Sequence, residues 1–283
     1  MGKPTSPIAI RLRPLGLIPV IVFGLLTTLA TGGGGGGGGG TMTPPPSPPA
    51  DEGIGGAWVG TDSNGFEVVA LSTDDGRLHW VSSTFDQGFG TASVNGSAIT
   101  MSYTFVPAFG VLEDGSTYAT CTATGTIQER VSVTFTTDCT TELGEMFSES
   151  LSLTYDPLYE RDSSLALIAG NYDYAWLPDF GFGFVVNIDE NGVIFAQEPL
   201  TFCVINGQVD VLDSQFNAYE ISFTISSCNL DLAPEVAPYE GATFTGLGIL
   251  DNSESPEALI AALIRVNAVT ERSFSVVIEL PRI

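Results

Sequence analysis

The sequence predicts an all-β protein: two tandem antiparallel up-and-down eight-stranded β-barrels, or barrel-like sandwiches, behind a signal peptide and a disordered linker. Apolar and polar residues alternate with a period of two in run after run, as on strands that bury one face. Turn dipeptides that favour positive φ separate the runs. About eight strand candidates fall on each side of a mostly polar stretch near Tyr159 to Ala169.

Residues 1–30 read as the signal peptide. Lys3, Arg11 and Arg13 precede an uncharged apolar run from Leu15 to Ala30, and Thr28-Leu29-Ala30 puts small residues where a signal peptidase reads. Cleavage after Ala30 is expected; a retained anchor is the alternative, because a short span is accommodated by local thinning of the bilayer. Residues 31–53 read as a tether. The glycine run Gly32 to Gly40 is flexible and the proline-rich Pro44 to Pro49 semi-rigid, and neither carries side chains that build a core.

The first barrel is expected over 54–160 and the second over 161–283. Ile99, Met101, Tyr103 and Phe105 line one face of a strand in the first, with Val131, Val133, Phe135 and Leu151, Leu153, Tyr155 on others. Tyr219, Ile221, Phe223, Ile225 and Phe274, Val276, Ile278, Leu280 do so in the second. Asp75-Gly76, Asn95-Gly96, Asp114-Gly115, Asn191-Gly192 and Asn206-Gly207 are expected turns. Asp189-Glu190-Asn191-Gly192 reads as a turn and not a calcium loop, since the remaining ligands and closing glutamate are missing. Asp156-Pro157 and Ser163-Ser164 are expected to start short helical turns. At 255–266 two readings stand: Ser255-Pro256 caps a helix by local propensity, while a complete barrel needs a strand there.

The four cysteines pair by register. Cys121 and Cys139 are symmetric about Arg130, and Cys203 and Cys228 about the Gln215-Phe216 step, so each pair lies face to face on a hairpin. One disulfide per barrel is expected, Cys121 with Cys139 and Cys203 with Cys228, each contributing about 3 kcal/mol on the chain-entropy model. Neither pair has the close spacing of a zinc ribbon.

Three of the nine basic residues precede Ala30, whereas all 33 acidic residues follow Ala50. The mature chain therefore has no lysine and a net charge of about −27. Long-range repulsion from phosphate backbones excludes nucleic acid, and membrane contact is expected only through a retained anchor. The charge suits an exported protein that must stay soluble in salty surroundings. Catalytic signatures are sparse: His79 is the single histidine, no serine occupies a Gly-x-Ser-x-Gly elbow, and no cofactor or metal motif occurs. The expectation is no enzyme and no cofactor, with paired carboxylates for glycoside hydrolysis the remote alternative.

A glycine run after an export signal resembles the start of bacterial envelope lipoproteins, although Thr31 stands where those carry their lipidated cysteine. Gly56-Ala57-Trp58, and Gly170-Asn171-Tyr172 in the second half, resemble the opening strand of lipocalin and avidin-type barrels, whose aromatic closes the barrel floor. Leu158-Tyr159-Glu160-Arg161, Ser163-Ser164-Leu165 and the pair Cys203 and Cys228 resemble uncharacterised two-part secreted proteins of bacteria, which implies an architecture and no activity. Two functions compete. One is a structural or surface-interaction role with filled barrels and an unknown partner. The other is a carrier for a small apolar ligand, lined by Trp58, Phe66, Trp80, Met101, Tyr172, Phe184 and Phe223.

Overall fold

A computed structural model describes residues 53–108, 111–177, 182–232, 234–252, 256–265 and 275–283. The expected signal peptide and all but the last residue of the linker lie outside these residues. The first barrel consists of β1 (Gly56–Asp62), β2 (Glu67–Ser72), β3 (Arg77–Ser82), β4 (Gln87–Asn95), β5 (Ala98–Val106), β6 (Ala119–Gln128), β7 (Ser132–Thr141) and β8 (Met146–Asp156). Each strand pairs antiparallel with the next, and β8 returns to β1 with Tyr155 opposite Trp58, so the sheet is closed.

The second barrel repeats the order with β9 (Gly170–Leu177), β10 (Phe182–Ile188), β11 (Val193–Gln197), β12 (Val204–Val211), β13 (Tyr219–Ser226), β14 (Thr243–Asp251), β15 (Ala258–Arg265) and β16 (Ser275–Pro281). Its ends meet through a bridge between Tyr172 and Arg282 and through the Ile283 N–H on the Asn171 carbonyl at 2.9 Å, which nearly closes it. Within 255–266, of which 256–265 are described, Ala258–Arg265 is thus a strand. Leu259, Ala261 and Leu263 are buried on alternate positions, and this pairing along β14 outweighs the helical propensity of the alanines.

Two devices recur at matching places in both barrels. Gly76 and Gly192, at φ +88° and +81°, end the turns after β2 and β10. Their carbonyls accept the N–H groups of Ala92 on β4 and Val209 on β12, each at 2.8 Å. Gly90 on β4 and Gly207 on β12 face Tyr103 and Phe223, where an added Cβ would lie 2.1 and 2.2 Å from the carbonyls of Ser102 and Ser222. Asn206-Gly207 is therefore a strand interior and not a turn; the glycine permits close approach of the backbones. Val131 likewise lies in the β6–β7 turn, exposed, and not on the strand face.

Short helices form where expected. Asp156 accepts the Leu158 N–H at 2.9 Å and caps a 3-10 turn at Pro157–Glu160, and Ser164 caps α1 (Leu165–Ile168) through the Leu167 N–H at 3.1 Å. A further 3-10 turn at Pro234–Tyr239 has no forecast in the sequence.

Both disulfides form as expected, with Cα separations of 4.1 Å for Cys121–Cys139 and 4.0 Å for Cys203–Cys228. The first joins directly opposed residues of β6 and β7. The second does not follow the simple register, because Val204 faces Ser226, one step off the symmetry that faces Cys203 with Cys228. Ser227, at φ +60°, is the extra residue that brings Cys228 round to its partner.

The two barrels share a third apolar cluster. Ala57, Leu71 and Tyr159 meet Phe216, Ala218 and Leu247, with Tyr159 stacked on Phe216 at 4.9 Å. Asn217 sits fully buried at this joint. Its amide nitrogen donates to the Leu158 and Leu250 carbonyls at 3.2 and 2.9 Å, and its oxygen accepts the Leu250 N–H at 3.1 Å. Asn217→Ala leaves these groups without partners and is expected to cost about 1–3 kcal/mol. Urea unfolding checks this, and an unchanged midpoint would show that the joint contributes nothing to stability.

Candidate functional site

A barrel's interior is the natural place for a ligand, and in the first barrel side chains occupy it in layers. At the floor Trp58 donates from Nε1 to Ser72 Oγ at 2.9 Å, and that hydroxyl donates to the Ile54 carbonyl at 2.6 Å. Tyr155 meets the Trp58 ring edge-on at 5.3 Å. Above the floor lies an apolar cavity of about 20 Å³, bounded by Trp58, Val68, Leu78, Trp80, Met101 and Phe135 among others. Trp80 caps it and contacts Tyr103 and Phe105 at centroid distances of 5.9 and 5.8 Å, and Phe105 meets Phe147 at 5.7 Å.

Besides the Ser72 hydroxyl at the floor, polar groups appear toward the mouth. The Tyr103 hydroxyl donates to Thr137 Oγ1 at 2.8 Å, and burial pushes its pKa up to about 12. Glu149 lies opposite Thr137 on β8, at the same alternation as Phe147 and Leu151. Burial, with Asp62 and Asp86 nearby, raises its carboxyl above the usual range. The alternation of Phe147, Leu151, Leu153 and Tyr155 places Glu149 on the inward face, although its charge argues against that position in a sequence reading.

The second barrel is organised around Tyr172. Its hydroxyl donates to the Ile168 carbonyl at 2.5 Å, and the Arg282 guanidinium lies 5.5 Å from its ring centre. Arg282 also donates to the Leu167 carbonyl and pairs with Glu257 at 3.3 Å. Glu257 in turn pairs with Arg161 at 2.7 Å. Elsewhere Phe184 tilts against Tyr174 at 5.0 Å, and Phe223 stacks on Phe244 at 5.3 Å.

The expected lining residues therefore divide. Trp58, Trp80 and Met101 bound one small void; Tyr172, Phe184 and Phe223 pack on the core of the other barrel. Phe66 corrects the expectation. It follows the Asp62–Gly65 turn and is 43% exposed, because Asp62 Oδ1 fixes the turn by accepting the Asn64 and Phe66 N–H groups at 2.9 and 2.8 Å. Asp189 builds the same turn with Asn191 and Val193, at 2.8 and 2.9 Å. Among the described residues no cluster of three or more histidine, cysteine or acidic side chains is arranged to hold a metal.

His79 points away from the barrel interior, since Leu78 and Trp80 on either side of it belong to the core, yet it is buried. Its Nε2 lies 2.9 Å from Gln87 Oε1, and the Phe89 ring is 6.2 Å away. Burial lowers its pKa to about 4 from the ordinary 6.5, so the folded imidazole stays neutral. The unfolded chain takes up this proton as pH falls below 6.5 and the folded chain does not until about pH 4. Stability from His79 is thus present above 6.5 and lost across that window, by at most about 3 kcal/mol. Wild type should lose stability relative to His79→Gln between pH 6.5 and 4 in urea unfolding. A constant difference across the window would mean that the histidine titrates as in water.

No protein family, curated protein or solved structure matches this chain.

Proposed function

We propose that this chain is a non-enzymatic exported protein with a structural or surface-interaction role, its function carried by outer loops and not by the barrel interiors. The supporting observation is the filling of the first barrel, whose apolar void of about 20 Å³ has room for about one water. Ligand pockets are typically about 300–1,000 Å³. A carrier would have to open the contacts among Trp80, Tyr103, Phe105 and Phe147 to admit cargo, at a cost in buried aromatic area.

Two disulfides accord with an oxidising exported compartment, and no helix among the described residues is long and apolar enough to cross a membrane. Native mass spectrometry of protein purified from its own envelope without reductant tests this reading. The expected species is a chain beginning at Thr31, lacking four thiol hydrogens and carrying no cargo. A stoichiometric apolar molecule of a few hundred daltons would overturn the reading in favour of a carrier.

A further inference from the structure

The rim of the second barrel holds apolar side chains out to solvent on loops that are unusually constrained. The loop before β12 and the loop after β13 are joined by Cys203–Cys228 and by the Asn229 N–H on the Thr201 carbonyl at 2.6 Å. Each loop also closes on a carboxylate. Glu198 accepts the Leu200 N–H at 2.9 Å together with the Thr201 N–H and hydroxyl, and Glu240 accepts the Ser227 and Cys228 N–H groups at 2.9 Å each. On this frame Leu200, Phe202, Leu230 and Leu232 are 45%, 49%, 39% and 63% exposed.

The backbone is strained at the same place. Phe202 and Ser227 both stand at φ +60°, a conformation that costs a bulky residue about 1–3 kcal/mol. The matching turn of the first barrel also carries a left-handed phenylalanine, Phe85 at φ 70°, but that ring is half-buried. At this turn the exposed phenylalanine is particular to the second barrel, whereas the first barrel exposes Val111 and Leu143 on its neighbouring loops and Met146 where β8 begins.

The surrounding charge identifies the partner. From Asp162 to Ile264 the chain has no lysine, arginine or histidine and 15 acidic residues, and Asp231 and Glu240 stand exposed on the loops themselves. Arg161 and Arg265 bound this stretch; Arg161 is engaged by Glu257, and Arg265, opposite Phe244 where β15 ends, is outnumbered by Glu198, Asp231 and Glu240 on the loops. A second copy of the chain would bring like charge against like, and an anionic lipid surface would be repelled. We propose that this stapled rim is the docking surface for a partner protein that presents apolar side chains flanked by lysine or arginine. This rests on the reading that function lies on the outer loops. Apolar anchors would supply affinity and the acidic surround would steer the encounter.

The probe is a synthetic amphipathic peptide of leucines and arginines, with a control in which serine replaces leucine, titrated into the full chain at physiological salt. Two variants keep net charge and the disulfide: Leu230→Ser combined with Leu232→Ser, and Phe202→Asn, which relieves the strain because asparagine tolerates positive φ. The leucine peptide should bind wild type and weaken about tenfold or more against either variant, while the serine control binds weakly to all three. Equal affinity for wild type and variants would reduce the effect to charge and overturn the proposal, as would no binding. Loss in the variants of self-association, or of binding to phosphatidylcholine vesicles that wild type holds better than the peptide, would also overturn it in favour of another occupant. Cargo found inside the chain by native mass spectrometry, with rim binding intact, would overturn the functional reading while leaving the docking surface standing.

Discussion

Each barrel is shut at one end by the aromatic side chain of its first strand, tied to the carbonyl of an isoleucine four residues earlier. In the second barrel the tie is direct, Tyr172 to Ile168; in the first it passes from Trp58 through Ser72 to Ile54. Both isoleucines are buried, so the tie pins the entering chain under the barrel. The last strand completes each floor opposite that aromatic, with Tyr155 against Trp58 and Arg282 against Tyr172. Once these rings are fixed, the residues above them stack inward with little room for anything else. A buried aromatic whose polar atom has a partner regains in that hydrogen bond much of what desolvation costs, which makes this closure stable.

Four arginines hold joints. Arg77 reaches from β3 to Glu220 on β13 at 2.9 Å, and Arg130 pairs with Glu160 at 3.1 Å while covering the Phe216 ring. Arg161 and Arg282 share Glu257 and satisfy the carbonyls of Leu250 and Leu167. Such partly buried pairs contribute more to fixing geometry than to net stability, since desolvation offsets much of their attraction. In a chain this acidic, cations placed between the barrels and across the seam also relieve repulsion where it would be greatest. The outer surface is left with the negative excess.

Much of the architecture was legible because a half-buried strand writes its orientation into alternate residues. Ile99 to Phe105 face inward as their spacing requires, and Cys121 and Cys139 meet as their symmetry about Arg130 requires. What escaped depends on contacts remote in sequence or on a single displaced residue. Asn206-Gly207 has the composition of a turn, but its glycine is needed beneath Phe223. Cys203 pairs as expected although the register is one residue off, because Ser227 makes up the difference. Glu257, between Arg161 and Arg282, has no local signature, and neither does the exposed rim, whose leucines read as ordinary loop residues until their surroundings are known.

The matching glycines also allow the cross-links of the two halves to be compared position by position. Counting Cys203 from Gly207 and Gly90, and Cys228 from their partners Phe223 and Tyr103, this disulfide corresponds in the first barrel to Asp86 and Ala108, where the carboxylate accepts the Ala108 N–H at 2.9 Å. Gly125 on β6 faces Phe135 as Gly246 on β14 faces Leu263, each close beneath its partner strand, and counting from them Cys121 corresponds to Ala242, a core residue of the second barrel. A covalent bond in one copy thus stands where the other uses a hydrogen bond or plain packing. If both halves descend from one ancestral barrel, their cross-links were gained or lost after the duplication, and neither copy of the fold needs both.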